Sequence, residues 1–332
     1  MISVIVITYN QEDTIGRALD SILMQQCHEP LEIVIGEDCS TDATRSVCQQ
    51  YAQQHPDTIR LFCNNQNKGA VVNYFDCLLE ARGEYIADCA GDDFWTDPLK
   101  LEKQLTVMEQ HPDVTLVHTA WKFYDERNGQ PGKTPQPHFR QPLTDGRQML
   151  EAIVTQTRMP VIHLCTALYR ADVFRREYEA QPQLFRNPDM GCEDLQIAFI
   201  MAKNGKIAYL DDVTLYYSQG RETVSTPADE RKLFRFVRRV TSLSHYLVSR
   251  YKLYGTEIDR YFNYRTFALA MHAFRAHDHE LAEEVRECER LWGTQRDLKM
   301  RLLMAVIGNK AAWAAALLVR RMAVAVKHLP AH

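Results

Sequence analysis

The first ninety residues alternate between strand-like and helix-like patterns, and this alternation limits the folds open to the chain. "SVIVIT" at 3–8 is a continuous run of apolar and β-branched residues, the pattern of a strand buried on both faces. Apolar residues then recur at helical spacing between Ile15 and Leu23. Further strand patterns, separated by helical ones, lie at 31–38, 58–64 and 84–90. Four such strands with short connections predict a right-handed, mostly parallel α/β sheet.

Beyond residue 97 the alternation is less regular. The patterns predict a helix at 98–111, a strand at 114–124, a loop rich in Pro, Gly and Gln at 125–146, a helix at 194–205 and a pair of strands within 206–218. From Pro227 onward strand patterns stop and helical ones continue. We therefore predict two domains, 1–226 and 227–332.

The two parts of the chain carry opposite charge, which the formal net charge of −4 conceals. From Arg221 to the end there are 20 basic and 12 acidic residues, so the first 220 residues carry a net charge of −12. After Asp297 the chain has no acidic residue and six basic ones: Lys299, Arg301, Lys310, Arg320, Arg321 and Lys327. This asymmetry predicts that the two domains perform different tasks.

The sequence predicts a cytoplasmic chain with reduced thiols. No apolar run reaches the length of about 20 residues that a membrane-spanning helix needs. The first residues lead directly into a strand, without the basic region and cleavage site of a secretory signal. The nine cysteines show no CxxC or other regular spacing, so neither a disulfide framework nor a zinc site is predicted.

Three polar loops follow predicted strands at their carboxyl ends, at 8–12, 37–42 and 90–95. Ligands of open α/β sheets bind in the crevice beyond these ends. The glycine-rich phosphate motifs GxGxxG and GxxxxGK[ST] are absent. The adjacent carboxylates Asp92 and Asp93 instead suit Mg²⁺ or Mn²⁺, which bind protein carboxylates and substrate phosphates together. We therefore predict a metal ion between this pair and a diphosphate.

Four segments in order resemble family 2 glycosyltransferases with the GT-A fold: "VIVITYN", "EIVIGEDCSTDAT", "GEYIADCAGDDFWTDPLKLEKQ" and "GCEDLQIAFIMAKNGKIAYLDD". The resemblance covers 1–226. It implies a Rossmann-like, mixed but mostly parallel sheet flanked by helices, followed here by a C-terminal helical region. It also implies that a sugar is transferred, with inversion, from a nucleotide diphosphate sugar to a hydroxyl group. The expected donor is a UDP-sugar, and the expected acceptor is a saccharide or lipid-linked saccharide. The implied pathway is bacterial surface polysaccharide synthesis, with no nucleic acid partner.

The resemblance assigns nucleotide contacts to the first two loops. Thr8, Asn10 and Glu12 would lie along the nucleotide. Asp38 would accept a hydrogen bond from the base, a task that suits an ionised carboxylate because it is only an acceptor. For the neighbouring Asp42, capping of the following helix is the favoured interpretation.

The resemblance assigns the chemistry to acidic residues farther along the chain. Asp92 and Asp93 would bind the ribose and the metal, in a division that the sequence leaves open. Asp194 would be the general base that takes the proton of the acceptor hydroxyl. Arg221 would pair with the diphosphate, for which a guanidinium has a suitable bidentate geometry.

The sequence departs from the family pattern at two places. Ala90 replaces the first acid of the family's "D-A-D-D", and the pair Glu37 and Cys39 stands where Asp and Gly are commoner. The loss at Ala90 keeps open a catalytically inactive protein that binds sugar nucleotides. A nucleotidyltransferase is a weaker alternative, since "TYNQEDT" lacks the glycine-rich basic loop of that class.

Two buried or aromatic residues near these loops have competing interpretations. His163 in "VIHLC" is interpreted as a core histidine with satisfied hydrogen bonds rather than a catalytic one. Trp95 either packs in the core or stacks on a sugar.

The C-terminal segment 298–329 suits one amphipathic helix with a basic face. Such a helix would lie on an anionic membrane surface, on the inner face of the plasma membrane, with Trp313 as an interfacial anchor. The alternative is that its apolar face packs on the catalytic domain or on a second subunit, giving a homodimer.

Overall fold

The structure, a computed structural model, describes residues 1–157, 159–220, 228–309, 311–316 and 318. The chain divides into two compact units, Met1–Arg221 and Glu222–His332. The predicted boundary after residue 226 stays a prediction, because 221–227 lie outside the described residues.

The first unit begins with the predicted alternation of strands and helices. The elements are β1 (Ile2–Thr8), α1 (Ile15–Leu23), β2 (Leu31–Glu37), α2 (Thr44–Gln54), β3 (Ile59–Cys63), α3 (Ala70–Glu80) and β4 (Tyr85–Asp88). Strand β1 pairs in parallel with both β2 and β4, and β3 pairs in parallel with β2. The carboxyl ends of these four strands therefore lie at one edge of the sheet.

The remainder of the unit completes a mixed sheet. Its elements are β5 (Phe94–Trp95), α4 (Lys100–Gln110), β6 (Val114–Asp125), β7 (Gln130–Pro131), β8 (Leu143–Asp145), α5 (Leu150–Val154), β9 (Leu168–Arg170), α6 (Ala171–Ala180), α7 (Glu193–Asn204) and β10 (Lys206–Gln219). The strand order is β3-β2-β1-β4-β9-β6-β10-β5, with β7 beside β6 and β8 beside β10. Strand β9 is antiparallel to both neighbours. The predicted α/β class with a mixed sheet is confirmed.

Two expectations for this region are wrong. The predicted strand pair at 206–218 is the single strand β10, which runs parallel to β6 with register shifts between Leu210 and Leu215. The acidic pair in "LDDVT" interrupts the apolar pattern, and an irregularity in the ladder absorbs it without a turn. The predicted loop at 125–146 also contains β7 and β8.

The core of the first unit extends under the loop that carries Asp92 and Asp93. The side chain of Trp95 is 1% exposed and its ring nitrogen donates to the carbonyl of Cys165 at 3.0 Å. Of the two interpretations for Trp95, core packing is therefore the one the structure supports. Trp95 anchors the two-residue strand β5, so the acidic turn just before this strand is held against the core.

The second unit is helical in the part the structure describes. Its helices are α8 (Glu230–Tyr251), α9 (Thr256–Ala276), α10 (His279–Trp292) and α11 (Leu298–Gly308). The carboxylates of Asp229, Asp278 and Asp297 cap the N-termini of α8, α10 and α11. Among the described residues, none of the helices combines the length and the apolar character that crossing a bilayer requires.

The C-terminal segment differs from the expected single helix. Helix α11 ends at Gly308, and the side chain of Asn309 accepts from the amides of Ala311 and Ala312, which starts a new helical turn. Trp313 is 3% exposed and donates to the carbonyl of Phe274 on α9 at 3.2 Å. Its expected role as an interfacial anchor is therefore wrong. Lys310, Arg320, Arg321 and Lys327 of the predicted basic face lie outside the described residues.

The turn between β2 and α2 explains one departure from the family pattern. Cys39 has φ +62°, in the left-handed region that glycine adopts without strain. Glu37, which is fully buried, accepts from the amide of Ser40 at 2.6 Å and from Nε of Arg45 at 2.5 Å. Glu37, which is longer than the family's Asp, is thus paired with groups of this turn and of α2. Cys39 adopts the backbone conformation that suits the family's Gly, and is therefore strained.

We predict that Cys39→Gly stabilises the protein, because it removes the clash of Cβ with the backbone. The left-handed conformation costs an L-residue about 1–2 kcal/mol, and the larger unfolded-state entropy of glycine cancels part of the gain. We expect a net gain of about 0.5–1 kcal/mol, or roughly 2 °C in the midpoint of thermal unfolding. The matched control is Cys39→Ala, which removes the thiol and keeps Cβ. Equal midpoints for the two variants would contradict the backbone explanation.

Candidate active site

The three polar loops meet at the carboxyl edge of the sheet. The amide of Asp38 donates to the carbonyl of Thr8 at 3.0 Å, and the amide of Gly91 donates to the carbonyl of Ile7 at 3.2 Å. A Cβ atom added at Gly91 would lie 2.4 Å from Oε1 of Gln11, so the third loop approaches the first as closely as glycine allows. The loops are therefore one continuous surface.

Asn10 and Glu12 join the first loop to the second. Oδ1 of Asn10 accepts from the amide of Thr41 at 2.8 Å, and Oε2 of Glu12 accepts from the amide of Ala43 at 2.7 Å. Both residues are exposed, so their remaining polar atoms face solvent at the predicted nucleotide position. Thr8, in contrast, is buried, and its hydroxyl donates to Gln11 at 2.7 Å.

Asp42 caps the helix that follows the second loop, as predicted. Its Oδ1 accepts from the amide of Thr44 at 3.0 Å, and its Oδ2 accepts from the amide of Glu12 at 3.2 Å. Burial opposes ionisation, but these bonds outweigh it and hold the pKa of Asp42 below its usual range.

Asp38 has a structural task that the sequence did not reveal. It is 3% exposed, and its carboxylate accepts from the amides of Lys68 and Gly69, both at 2.8 Å, and from Nδ2 of Asn64 at 2.9 Å. These bonds tie the loop before α3 to the end of β2. A carboxylate has about four acceptor positions, so one is left for the predicted contact with a base.

The turn of Asp92 and Asp93 is held by the end of β10. The amide of Ser218 donates to Oδ1 of Asp93 at 2.9 Å, and its hydroxyl donates to the carbonyl of Asp92 at 2.6 Å. Nη2 of Arg17 donates to the same carbonyl at 3.3 Å, while its guanidinium lies 4.1 Å from the ring centre of Phe94. The side chain of Asp93 is 1% exposed and that of Asp92 is partly exposed.

Buried carboxylates gather behind this turn and repel one another. Burial and the charge of Asp92 raise the pKa of Asp93 well above its usual range, with a further contribution from Asp194. Burial and then the charge of Glu193 raise the pKa of Asp194 to about 8. Both oxygens of Asp88 are buried and, among the described residues, have no hydrogen-bond partner, and burial raises its pKa strongly. Such a cluster is stabilised by protonation or by a bound cation.

One lysine is buried close enough to Asp88 to affect its pKa. Lys100 is fully buried, its Nζ donates to Oε1 of Gln104 at 2.8 Å, and it lies 4.2 Å from the ring centre of Trp95. Burial lowers the pKa of Lys100 to about 7, which weakens its positive charge at neutral pH.

His163 is buried, as expected, but its hydrogen bonding is not what the sequence predicted. Its Nδ1 has no partner among the described residues, so the interpretation as a satisfied core histidine is wrong. The ring packs 4.9 Å from the ring centres of both Trp121 and Tyr217, and burial lowers its pKa to about 4. His163 is therefore a neutral side chain packed between aromatic rings.

The donor set fits a hard divalent cation. Asp92 and Asp93 offer carboxylate oxygens at a strand end, and the surrounding carboxylates add negative charge. Mg²⁺ and Mn²⁺ need only one or two protein carboxylates when phosphate oxygens supply further ligands.

Sequence reasoning missed four residues of this region: Arg17, Asp88, Lys100 and Ser218. Asp88 and Lys100 belong to segments that resemble the family. Each is a charged residue among apolar ones, and this pattern could have indicated a buried charge. Arg17 and Ser218 are joined to the acidic turn only by tertiary contacts. Arg221 lies outside the described residues, two positions after the last residue of β10 in the sequence.

Comparison with known proteins identifies a family. The family model described as "Glycosyl transferase family 2" matches residues 3–177, more than half of the chain. An uncharacterized protein of Mycobacterium tuberculosis is 39% identical over 142 residues, which cover 43% of this chain and 41% of that protein. TuaG of Bacillus subtilis, named as a teichuronic acid biosynthesis glycosyltransferase, is 40% identical over 108 residues, 32% of this chain and 42% of TuaG. The chain thus matches about two fifths of the length of these relatives.

Solved structures share the fold. TarS of S. aureus in complex with UDP-GlcNAc has a TM-score of 0.56 at 17% identity, covering 92% of this chain and 90% of that one. The mannosyltransferase PcManGT from Pyrobaculum calidifontis, in complex with GDP-Man and Mn²⁺, has a TM-score of 0.53 at 18% identity, covering 95% and 86%. At these identities the likeness supports the fold alone, and the GT-A expectation is confirmed.

We predict that Asp194→Asn makes the metal-free protein more stable at neutral pH. The pKa of Asp194 is about 8 in the folded state and about 3.9 unfolded. Between these values the folded state retains a proton that the unfolded state releases, so stability falls as pH rises through this window. Asparagine has no such proton. We expect a gain of the order of 1 kcal/mol at pH 7 and little at pH 4.

The measurement is the midpoint of thermal unfolding at several pH values in chelator, for the wild type, Asp194→Asn and the exposed-site control Asp57→Asn. A variant less stable than the wild type at every pH would show that Asp194 is a charged, paired group.

Proposed function

The chain belongs to glycosyl transferase family 2, and from this we propose that it is an inverting enzyme using a nucleotide diphosphate sugar. The donor is a UDP-sugar, and the acceptor is a hydroxyl of a saccharide or lipid-linked saccharide. The reaction serves the synthesis of a surface polysaccharide at the cytoplasmic face of a membrane. The names of TuaG and the ligand of TarS support this choice of pathway and donor.

The observation that carries the proposal is the acidic cluster at the carboxyl edge of the sheet. Asp88 and Asp93 come from one segment and Asp194 from another about 100 residues later, and burial raises the pKa of each. Maintaining such a cluster costs stability, so a fold retains it where the charges have a use. A donor diphosphate with its cation would use them.

Asp92 and Asp93 would hold Mn²⁺ or Mg²⁺ in this site. Bound there, the ion would stabilise the negative charge that develops on the departing nucleotide diphosphate. The chain supports the pair by fixing the turn: Ser218 and Arg17 bind the carbonyl of Asp92, and the amide of Ser218 orients Asp93. The Mn²⁺ in the complex of PcManGT supports this assignment.

The nucleotide would lie across the first two loops. Asn10 and Glu12 are exposed there, and Thr8 and Asp38 are buried beneath them. The free acceptor position of Asp38 would receive the imide hydrogen of uracil, a donor that a carboxylate matches. Arg221, three positions after Ser218 in the sequence, would pair with the diphosphate.

Asp194 would act as the general base. It is the second residue of α7, where the positive end of the helix dipole favours the carboxylate, yet burial and Glu193 keep its pKa near 8. A base with such a pKa binds a proton firmly and is still partly ionised near neutral pH. Its task is to remove the proton of the acceptor hydroxyl as the sugar is transferred.

Two other functions make different predictions. An inactive sugar-nucleotide binder would bind the donor and never release free nucleotide diphosphate; the alanine at position 90 is its only support. A nucleotidyltransferase would release pyrophosphate from a nucleoside triphosphate.

We expect turnover to require both Asp93 and Asp194, in different ways. Asp93→Asn should abolish donor binding that depends on Mn²⁺, because an amide is a poor ligand for the ion. Asp194→Asn should lower turnover by about a hundredfold or more with little change in donor affinity, since proton removal is needed only in the transition state. For the wild type, kcat/KM should rise with pH up to about 8.

The assay measures release of free nucleotide diphosphate from UDP-sugars with Mn²⁺ or with chelator, and donor binding by calorimetry. Asp57→Asn, an exposed change outside the site, is the matched control. Full turnover of both site variants in chelator would refute the proposal, and pyrophosphate release from a triphosphate would favour the nucleotidyltransferase.

We also propose that α11 contacts an anionic membrane through its exposed face. The opposite face, with Met300, Met304 and Ile307, is buried. The exposed face has Leu298 and Leu302, which are 72% and 60% exposed, beside the exposed cations Lys299 and Arg301. Apolar and basic side chains together suit the headgroup region of a bilayer, and each cation near an anionic leaflet contributes about 1 kcal/mol.

The expected result is flotation of the full-length protein with liposomes that contain phosphatidylserine, in low salt, and loss of flotation in Leu298→Ser/Leu302→Ser. The matched control is Leu291→Ser on α10, which is also exposed. Flotation unchanged by the double substitution would refute the membrane contact. A change in oligomeric state by light scattering, without flotation, would assign the face to a homodimer.

A further inference from the structure

A group of metal-ligand side chains lies away from the acidic site, where the loop between α1 and β2 meets α4. Sγ of Cys27, a ring nitrogen of His28 and a carboxylate oxygen of Glu102 all lie within 4.8 Å of one another. Nδ1 of His28 is 2.9 Å from Oε2 of Glu102, and its Nε2 is 3.2 Å from Oε1 of Glu109. The loop is also beside the start of β1, because the amino group of Met1 pairs with Glu29.

We propose that Cys27, His28 and Glu102 bind a Zn²⁺ ion, with water in the fourth position. Thiolate, imidazole and carboxylate are the three side-chain ligands of zinc, and three of them with one open position is an established tetrahedral arrangement. The mixture of sulfur, nitrogen and oxygen donors favours zinc over Mg²⁺ or Ca²⁺, which prefer oxygen alone.

Glu109 provides the outer-sphere partner that a zinc-binding histidine usually has. A histidine that binds zinc donates its other ring N–H to a carboxylate or carbonyl, and this bond fixes the tautomer. Here Nε2 of His28 is 3.2 Å from Oε1 of Glu109 and could donate to it, so that Nδ1, on the side of Glu102, would be the nitrogen that binds the metal. Glu102 is held as well, because its Oε2 accepts from the amide of His28 at 3.1 Å.

The local charge also favours a dication. Among the residues that the structure describes, neither Glu102 nor Glu109 forms an ion pair with a lysine or arginine, and His28 is the group that each contacts. In the absence of metal, hydrogen bonds to Glu102 and Glu109 raise the pKa of His28. Burial and Glu102 raise the pKa of the Cys27 thiol. Zinc binding would release the Cys27 proton and, in acid, the His28 proton, so affinity should increase with pH.

The ion would join two segments that other bonds already hold together. Nε2 of Gln25 donates to the carbonyl of Asp97, and the amide of Gln26 donates to the carbonyl of Pro98, both at 2.8 Å. The second segment connects Trp95 to α4. A metal at Cys27, His28 and Glu102 would therefore stabilise the support of the acidic turn without contacting the donor. The proposal does not depend on the proposed function.

The test uses Co²⁺ as a spectroscopic substitute for zinc on the full-length protein after removal of metals with chelator. We expect one equivalent of Co²⁺ to produce a thiolate-to-cobalt charge-transfer band, which Zn²⁺ abolishes by displacement. Cys27→Ser and His28→Gln should each lose the band. Cys63→Ser, at an exposed cysteine elsewhere in the first unit, is the matched control and should retain it.

A second measurement separates binding from the folding of a variant. Glu109→Gln keeps all three ligands and should weaken Zn²⁺ binding roughly 10–100-fold, the usual effect of losing an outer-sphere carboxylate. Zn²⁺ should also raise the thermal midpoint of the wild type, and by less in Glu109→Gln. The proposal is wrong if the wild type gives no charge-transfer band. It is equally wrong if the band survives in His28→Gln. Loss of the band in this variant is not explained by misfolding, because the side chain of His28 is exposed.

Discussion

Parallel pairing of β1 with both β2 and β4 is the constraint on which the rest of the first unit depends. In this register Thr8 lies opposite Glu37, and Ile5 lies opposite Asp88. The chain therefore leaves all three strands at the same edge, and the loops after them contact one another through backbone hydrogen bonds. Parallel strands need crossover connections, and α1, α2 and α3 provide them and cover the sheet. Because the strands are covered in this way, their residues are almost wholly apolar.

At that edge the burial of carboxylates lowers the stability of the fold. Asp88 and Asp93 are almost completely buried, and burial lowers the pKa of Lys100, which lies over the ring of Trp95, to about 7. Desolvation of a carboxylate costs several kcal/mol unless a proton or a cation compensates. The same feature that lowers stability would favour binding of the proposed divalent ion with its diphosphate, so stability and proposed function are opposed at these residues.

The two candidate metal sites differ in chemistry and in construction. Asp92 and Asp93 are adjacent, offer only oxygen and lie in a turn clamped by Ser218 from β10. Cys27, His28 and Glu102 combine three donor types, and 74 residues separate His28 from Glu102. The first set suits an ion that arrives with a substrate, and the second suits an ion that stays with the protein.

The sequence by itself determined the α/β class, the four-strand alternation and the family, because the change of apolar period and the spacing of acidic motifs are local properties of the chain. It also identified the capping role of Asp42, which depends on a residue two positions away. Only the tertiary structure decided that Trp95 belongs to the core, that Asp38 holds the loop at Lys68 and Gly69, and that Trp313 packs on Phe274. Likewise the clamp of Arg17 and Ser218 on the acidic turn, and the group at Cys27, join residues far apart in sequence. Such contacts arise from how helices and strands pack, and no short-range pattern records them.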